Sequence, residues 1–124
     1  MHYASMLPAL APLLILVACK PPPDQRHHLG AANPVRGRAV IARAGCGACH
    51  TIPGIWPQGE MGPALDRVAQ QTLLAGRLPN RPDLLAAFIR DAPRLIPGTA
   101  MPAMPIREEE ARDAAAYLYS LERR

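Results

Sequence analysis

One short segment of the 124-residue chain combines residue types that can hold a cofactor covalently. Cys46, Cys49 and His50 stand in the order Cys-Gly-Ala-Cys-His. Two thiols three positions apart lie close enough to add to the two vinyl groups of one haem as thioethers, and the adjacent imidazole then projects towards the iron. The spacing therefore predicts one covalently attached haem c, with His50 as an axial ligand of the iron.

The same residues are compatible with two other kinds of site, which the rest of the sequence does not favour. A structural zinc site needs four ligands, and the chain has neither a second Cys-x-x-Cys nor a His-x-x-x-His. A thiol–disulfide redox pair of this spacing is typical of a βαβ pattern, for which the sequence gives no sign. A colourless zinc or thiol protein is therefore the alternative to haem attachment at this segment.

Composition excludes several other classes of function. The net charge is +4, the hydrophobic fraction is 49% and the aromatic fraction is only 4%. This charge is too mild and too interleaved with acids for a nucleic-acid binder, and no glycine-rich phosphate-binding motif occurs. His50 is the only histidine after residue 33, so the chain has no Ser/His/Asp set for nucleophilic catalysis. We expect neither a nucleic-acid partner nor an enzyme active site.

The elements that position the Cys-x-x-Cys-His segment are predicted to be helices joined by irregular loops. Fifteen prolines and nine glycines disfavour long strands and a large sheet. Apolar residues recur at helical spacing in three stretches, 34–44, 82–92 and 108–122. Residues 66–75 are expected to form one or two helical turns, and 93–106 to be irregular, with Pro93 ending the second helix. The predicted fold class is all-α, with about four to five helices and long Pro/Gly-rich loops around the haem.

With these features, residues 34–124 resemble the class I cytochrome c family. The resemblance implies the cytochrome c fold and one-electron transfer through one haem. Gly37 lies nine residues before Cys46, where the family has a glycine that lets the first and last helices cross closely. Tyr117 matches the aromatic residue that is its partner in the family.

A second segment that matches the family is Gly62-Pro63-Ala64-Leu65, which resembles its GPxL stretch after the haem motif. The resemblance implies that the carbonyl of Pro63 accepts a hydrogen bond from Nδ1–H of His50. Such a bond fixes the tautomer and the orientation of the imidazole and makes it a better ligand. A simple turn is the alternative for this segment.

An electron-transfer haem needs a second axial ligand, because a full coordination shell excludes substrate and changes little between Fe(II) and Fe(III). A thioether ligand favours the ferrous state and raises the potential. Residues 97–102 read Pro-Gly-Thr-Ala-Met-Pro, which resembles the PGTxMP ligand loop of many bacterial cytochromes c. The resemblance implies Met101 as the ligand, with Met104 as the alternative and Met61 as a less favoured third sulfur. Each of these methionines can instead fill a core.

The remaining haem-pocket residues carry weaker signals. We expect Trp56, Phe88 and Leu85 to line the pocket. Arg77 lies in Ala-Gly-Arg-Leu-Pro-Asn, which resembles a stretch of related bacterial domains. Either Arg77 or Trp56 is expected to reach a haem propionate.

The N-terminus predicts export and attachment to a membrane. Residues 4–18 carry no charge, are too short for a membrane span and have the length of a secretion signal core. Leu16-Val17-Ala18-Cys19 resembles a bacterial lipobox, which implies a signal peptide over 1–18 and a lipid on Cys19. An uncleaved anchor and an ordinary signal peptide are the alternatives.

A tether is predicted between this anchor and the folded domain. After Cys19, residues 20–33 are proline-rich and polar and show no apolar periodicity, which is typical of a flexible linker. His27 and His28 lie in it and are expected to be solvated rather than bound to a metal. The domain boundaries are therefore predicted as 19–33 for the lipidated tether and 34–124 for the cytochrome c domain.

The predicted function is one-electron transfer at the periplasmic face of the bacterial cell envelope. The expected partners are membrane-bound donors and acceptors, such as a quinol–cytochrome c oxidoreductase and a terminal oxidase. A dehydrogenase that uses the protein as its electron acceptor is equally compatible. The alternatives are a haem subunit of a larger oxidase or dehydrogenase complex and, if no methionine binds the iron, a ligand-binding haem enzyme or sensor.

Overall fold

Residues 27–121 are described by the computed structural model, and most of their regular structure is helical. The helices are α1 (Pro34–Arg43), α2 (Pro82–Arg90), α3 (Ala92–Leu95) and α4 (Glu108–Ser120). Two 3₁₀ turns cover Cys46–Ala48 and Val68–Gln70, and a small antiparallel hairpin pairs β1 (Leu73–Leu74) with β2 (Leu78–Pro79). The prediction of a small all-α fold with four to five helices is confirmed.

The prediction for Pro93 is wrong in detail. Helix α2 already ends at Arg90, and Pro93 lies at the second position of the one-turn helix α3. Proline fits there because an N–H in the first turn of a helix has no carbonyl partner within that helix. The side chain of Asp91 caps this turn by accepting a hydrogen bond from the Arg94 amide at 3.3 Å. Segment 93–106 is therefore irregular only after Leu95.

Residues 66–75 form one helical turn rather than two. The 3₁₀ turn over Val68–Gln70 is followed by β1, and the Asn80 side chain bonds to two carbonyls of this segment. Asn80 Nδ2 donates to the Val68 carbonyl at 2.6 Å and to the Gln71 carbonyl at 2.8 Å. These bonds attach the hairpin to the turn that precedes it.

The core is built where α1 crosses α4, as the resemblance implies. Gly37 is buried, and a Cβ at this position would overlap the backbone carbonyl of Asp113 on α4. A glycine is therefore required for the two helices to approach this closely. Val40 and Ile41 on α1 and Ala114 on α4 are at most 5% exposed. Helix α2 packs against another face of α4 and buries Leu85, Ala86 and Ile89.

An ion pair between exposed Arg36 and buried Asp113 joins the same two helices, and no local sequence pattern predicts it. Asp113 is 3% exposed. It accepts from Nε and Nη2 of Arg36 at 2.7 and 3.0 Å and from the Asn33 amide at 2.7 Å. Burial opposes ionisation of Asp113, but hydrogen bonds from Arg36 and Asn33 outweigh it and lower the pKa of the carboxyl group. Asp113 therefore accepts hydrogen bonds both from the Arg36 side chain on α1 and from the backbone amide of Asn33, just before that helix.

The packed part of the chain begins earlier than the predicted boundary at residue 34. Residues 27–33, which we call the strap, lie against α4. Leu29 is 5% exposed in the core cluster, and its carbonyl accepts from Arg112 Nη2 at 3.3 Å. The ring of His27 stacks on that of Tyr119 with centroids 4.2 Å apart. The strap is thus part of the domain, because Leu29 supplies an apolar anchor that the polar composition of 20–33 conceals.

The N-terminal predictions lie outside the described residues. They concern the signal peptide over 1–18, Cys19 with its lipid, and the first part of the tether. Within residues 27–121, no helix is long and apolar enough to cross a membrane.

Candidate haem-attachment site

The Cys-x-x-Cys-His segment begins just after α1 and forms a compact turn. Gly45 has a φ of +73°, in the left-handed region that favours glycine, and this reverses the chain at the end of the helix. The amides of Cys49 and His50 then both bond to the Cys46 carbonyl, at 3.2 and 3.0 Å. Both cysteines are half-buried free thiols. Burial, with the neighbouring Cys49, raises the pKa of the Cys46 thiol.

The imidazole of His50 is oriented by the backbone of Pro63. Its Nδ1 lies 2.7 Å from the Pro63 carbonyl oxygen. A carbonyl can only accept, so Nδ1 carries the proton and Nε2 of the neutral ring keeps its lone pair. This is the contact that the resemblance implies, and it leaves the ring in the tautomer that an axial iron ligand needs.

Gly62 makes the room for this ring. A Cβ at Gly62 would overlap the imidazole of His50, with its Nδ1 atom only 2.6 Å away. The Gly62 amide also donates to the Cys49 carbonyl at 2.7 Å. The glycine of the GPxL segment therefore lets the backbone that carries Pro63 run directly along the histidine.

Loop 51–65 is bonded both to the cysteine segment and across its own two ends. The Gly59 amide donates to the Gly47 carbonyl at 2.8 Å, and the Leu65 amide to the Thr51 carbonyl at 2.9 Å. Thr51 Oγ1 donates to the Gly59 carbonyl at 3.0 Å. Together with the bond from the Gly62 amide, these contacts fix how the segment that carries His50 is aligned with the segment that carries Pro63.

The two candidate methionine ligands occupy different backbone environments. Both are half-buried. The Met104 amide donates to the Arg90 carbonyl at 2.9 Å, which attaches this residue to the end of α2. The Met101 amide reaches Thr99 Oγ1 at the longer distance of 3.4 Å. Met61 is 88% exposed on loop 51–65.

The other predicted pocket residues are spread over several elements. Phe88 is half-buried on α2, whereas Leu85 on the same helix is 4% exposed and belongs to the core cluster with α4. Trp56 is 85% exposed on loop 51–65. Arg77 is exposed in the hairpin turn, where its amide bonds to the Leu74 carbonyl at 3.0 Å. Their contacts with a haem stay predictions.

The donor set fits a covalent haem c better than the alternatives. Two free thiols and an imidazole with an available Nε2 belong to one short turn, and Gly62 leaves room for the ring. Within residues 27–121, no group of three or more His, Cys, Asp or Glu side chains comes together to hold a metal ion. A four-ligand zinc site would need a further ligand, such as a carboxylate or a second histidine, beside these residues.

Comparison with known proteins agrees with this chemistry. The sequence model of the family described as Cytochrome c matches residues 34–122. The chain belongs to the cytochrome c family. The family's activity is haem-based electron transfer, and its cofactor is covalently bound haem c.

Two known proteins are similar to this cytochrome c. Cytochrome c oxidase subunit 2 of Alkalihalophilus pseudofirmus is 38% identical over 87 residues, 69% of this chain and 25% of the relative. The chain thus spans about a quarter of that relative's length. The crystal structure of SoxXA from P. pantotrophus matches with a TM-score of 0.58 at 21% identity, over 75% of this chain and 84% of that one. At that identity, the likeness supports the fold alone.

Proposed function

We propose that this cytochrome c is a one-electron carrier with a single haem c, attached through Cys46 and Cys49 and ligated by His50 and Met101. The observation that carries the proposal is the hydrogen bond of 2.7 Å between Nδ1 of His50 and the Pro63 carbonyl. It gives the imidazole the tautomer and the orientation of a permanent axial ligand. When bound, the haem supplies an iron that alternates between Fe(III) and Fe(II).

The chain's own residues have a positioning role in this function. Pro63 holds the proton on Nδ1 of His50, and Gly62, which has no side chain, leaves room for the ring. A methionine on the opposite side would exclude water and small ligands from the iron. No group that could transfer protons to a bound substrate is needed, because an electron carrier makes and breaks no bonds.

Met101 is favoured over Met104 as the sixth ligand. Besides the resemblance of its loop, the backbone supports this choice. Met104 is tied to α2 through its amide, and the adjacent Ala103 forms a β-bridge with Asp91. Met101 lies before this attachment, in a loop that contains several prolines and a glycine, Gly98, with a positive φ. The backbone at Met101 is thus the less restrained of the two.

Optical spectra of three single variants test the ligation. The protein is expressed with the cytochrome c maturation machinery, as wild type, Met101→Ala, Met104→Ala and Met61→Ala. We expect covalent haem in all four and a weak red sulfur-to-iron band in the oxidised state that is lost only in Met101→Ala. Met61→Ala is the matched control, since this methionine is 88% exposed.

Two results would change the assignment. Loss of the band in Met104→Ala instead of Met101→Ala moves the ligand by three residues and leaves the carrier function intact. A wild-type protein that is high-spin and binds CO readily refutes the carrier function and supports a ligand-binding haem enzyme or sensor.

We also propose that the carrier is held at the periplasmic face of the bacterial cell envelope by a lipid on Cys19. The support is the lipobox-like sequence that ends at Cys19. A tether of this kind raises the effective concentration of membrane-bound donor and acceptor complexes, such as a quinol–cytochrome c oxidoreductase and a terminal oxidase. Cys19→Ser should release the protein from membranes; unchanged retention after a salt wash contradicts the lipid anchor.

A haem subunit of a larger oxidase or dehydrogenase complex is the second candidate. Its support is the similarity to a cytochrome c oxidase subunit, of which the chain spans about a quarter. Weak redox encounters bury little surface, whereas permanent subunits bury much more. Purification in mild detergent separates the two: a free carrier elutes alone, and a subunit elutes with the same partners at constant ratio.

A further inference from the structure

The tip of loop 51–65 has an unusual set of hydrogen bonds. The four consecutive carbonyls of residues 52–55 all accept from side chains. Gln58 Nε2 bonds to the first at 2.6 Å and also to the fourth, Tyr117 hydroxyl to the second at 3.2 Å, and Arg38 Nη2 to the third at 2.8 Å. Such a turn would ordinarily leave several of these carbonyls to water.

The three donors come from three separate parts of the fold. Arg38 is on α1, Tyr117 is on α4 and Gln58 is in the loop itself. Tyr117 is 2% exposed, so its ring belongs to the core and its hydroxyl is held in place by that packing. The turn between the donors has Gly54 at a φ of +72° and is flanked by the buried side chains of Ile52 and Ile55.

We propose that Arg38, Gln58 and Tyr117 form a carbonyl clamp that positions His50 for the iron by fixing the turn of residues 52–55. The proposal rests on the proposed role of His50 as an axial ligand. It makes Tyr117 a positioning residue through its hydroxyl group, in addition to its place in the core.

The path from the clamp to His50 runs through the backbone. The turn connects the segment that carries His50 with the segment that carries Pro63, and the amides of Gly59, Gly62 and Leu65 set the alignment of the two. If the turn moves, one segment shifts relative to the other. The bond between Nδ1 of His50 and the Pro63 carbonyl joins the same two segments, so its length depends on the position of the turn.

This dependence has an electronic consequence. A strong hydrogen bond from Nδ1–H makes the imidazole a more basic ligand and stabilises Fe(III). Loosening the clamp weakens that bond, and the reduction potential should rise. A purely structural hydrogen bond elsewhere in the domain would lower stability without this shift.

Tyr117→Phe and Tyr119→Phe provide a matched comparison. Both tyrosines lie on α4, are at most 6% exposed and donate one hydrogen bond. Tyr119 donates to Asn80 Oδ1 at 2.7 Å, away from loop 51–65. Each change removes one hydroxyl and keeps the ring. Gln58→Met, at an exposed position of the loop, removes two clamp bonds without touching the core.

The experiment measures amide hydrogen exchange and reduction potential on the haem-containing protein. In Tyr117→Phe we expect the amides of Gly62 and Leu65 to exchange about fivefold faster relative to that of Ala115 in α4, the factor that corresponds to one ordinary hydrogen bond. The potential should shift upwards. Gln58→Met should change both in the same direction, and Tyr119→Phe should change neither.

The outcomes that overturn the proposal are specific. An unchanged exchange ratio in Tyr117→Phe, or an equal change in Tyr119→Phe, refutes the clamp. Faster exchange without a shift in potential refutes the step from the turn to His50. Failure of the proposed function is seen separately, in the spectrum of the wild-type protein, because the exchange readout does not depend on the identity of the sixth ligand.

Discussion

Asp113→Asn tests whether the crossing of α1 and α4 depends on the ion pair between Arg36 and Asp113. The substitution keeps the volume of the side chain and removes its charge. The new amide still offers one oxygen to the Asn33 amide, but its NH₂ group faces the guanidinium of Arg36, which can only donate. The oxygen at the place of Oδ1 can still accept from Arg36 Nη2, but that bond of 3.0 Å loses its charged acceptor. The bond of 2.7 Å from Arg36 Nε to Oδ2 is lost.

The magnitude follows from how each partner is solvated. Hydrogen bonds to charged groups contribute about 1.5–3 kcal/mol each when buried. The Arg36 side chain is 55% exposed and regains water, whereas that of Asp113 is 5% exposed and cannot. Because Arg36 regains water, we take a value near the lower end of this range. We therefore expect the free energy of unfolding to fall by about 2 kcal/mol. For a domain of this size, that corresponds to a decrease of roughly 10 °C in Tm.

Asp83→Asn is the matched control. Asp83 accepts from Arg81 through the two nitrogens that Arg36 uses for Asp113, with Nε at 3.2 Å and Nη2 at 2.9 Å. Both of these side chains are more than half exposed, and such pairs contribute less than about 1 kcal/mol. Urea unfolding followed by circular dichroism gives both free energies. If Asp113→Asn costs no more than Asp83→Asn, the ion pair does not hold the two helices together.

The pH dependence of the same variant checks the cause. The pKa of Asp113 is lowered in the folded protein, so its carboxylate stabilises the fold above the unfolded value of about 4. This stabilisation is lost only as the pH falls through the lower pKa of the folded state. The stability gap between wild type and Asp113→Asn should therefore be complete at pH 5 and 7 and narrow below pH 4. A gap that is constant over this range contradicts the electrostatic explanation.

Two further substitutions test the site and the strap. Gly62→Ala should displace the His50 ring from the Pro63 carbonyl, because the new Cβ would overlap the imidazole; the spectrum should lose its low-spin form in part, and an unchanged spectrum would show that the ring has room. Leu29→Ala should cost about 2–3 kcal/mol in unfolding free energy, since Leu29 is 5% exposed in the core. A freely moving tether at this position would leave the stability unchanged, and Ala31→Gly, at an exposed neighbouring position, is the control.

The local part of the site was predictable because its residues are close in sequence. The positions of Cys46, Cys49 and His50 follow from five consecutive residues, and the family resemblance supplied the bond to Pro63. The role of Gly37 was also supplied by the family resemblance, which places a glycine nine residues before Cys46. Only the cysteine and histidine positions follow from the chemistry of a short motif alone.

The long-range contacts could not be predicted in this way. Arg36 and Asp113 are 77 positions apart, and each reads as an ordinary charged residue on a helix. Tyr117 was expected only as an aromatic partner of Gly37, and its hydroxyl bond to Pro53 spans 64 positions. Leu29 lies in a polar, proline-rich stretch with no periodicity. Pairing across such distances depends on how the helices cross, which no local pattern specifies.

The two sides of the proposed haem site differ in how firmly the chain holds its ligand. On the histidine side, the ring bonds to Pro63, and loop 51–65, which carries Pro63, bonds to both α1 and α4. On the methionine side, the Met101 amide has a long bond of 3.4 Å to a neighbour two residues away. A ligand held by several long-range bonds keeps its position only while the helices remain crossed. We therefore expect His50 to lose its position only when the domain unfolds. The proposed ligand Met101, in contrast, should be able to leave the iron while the domain stays folded.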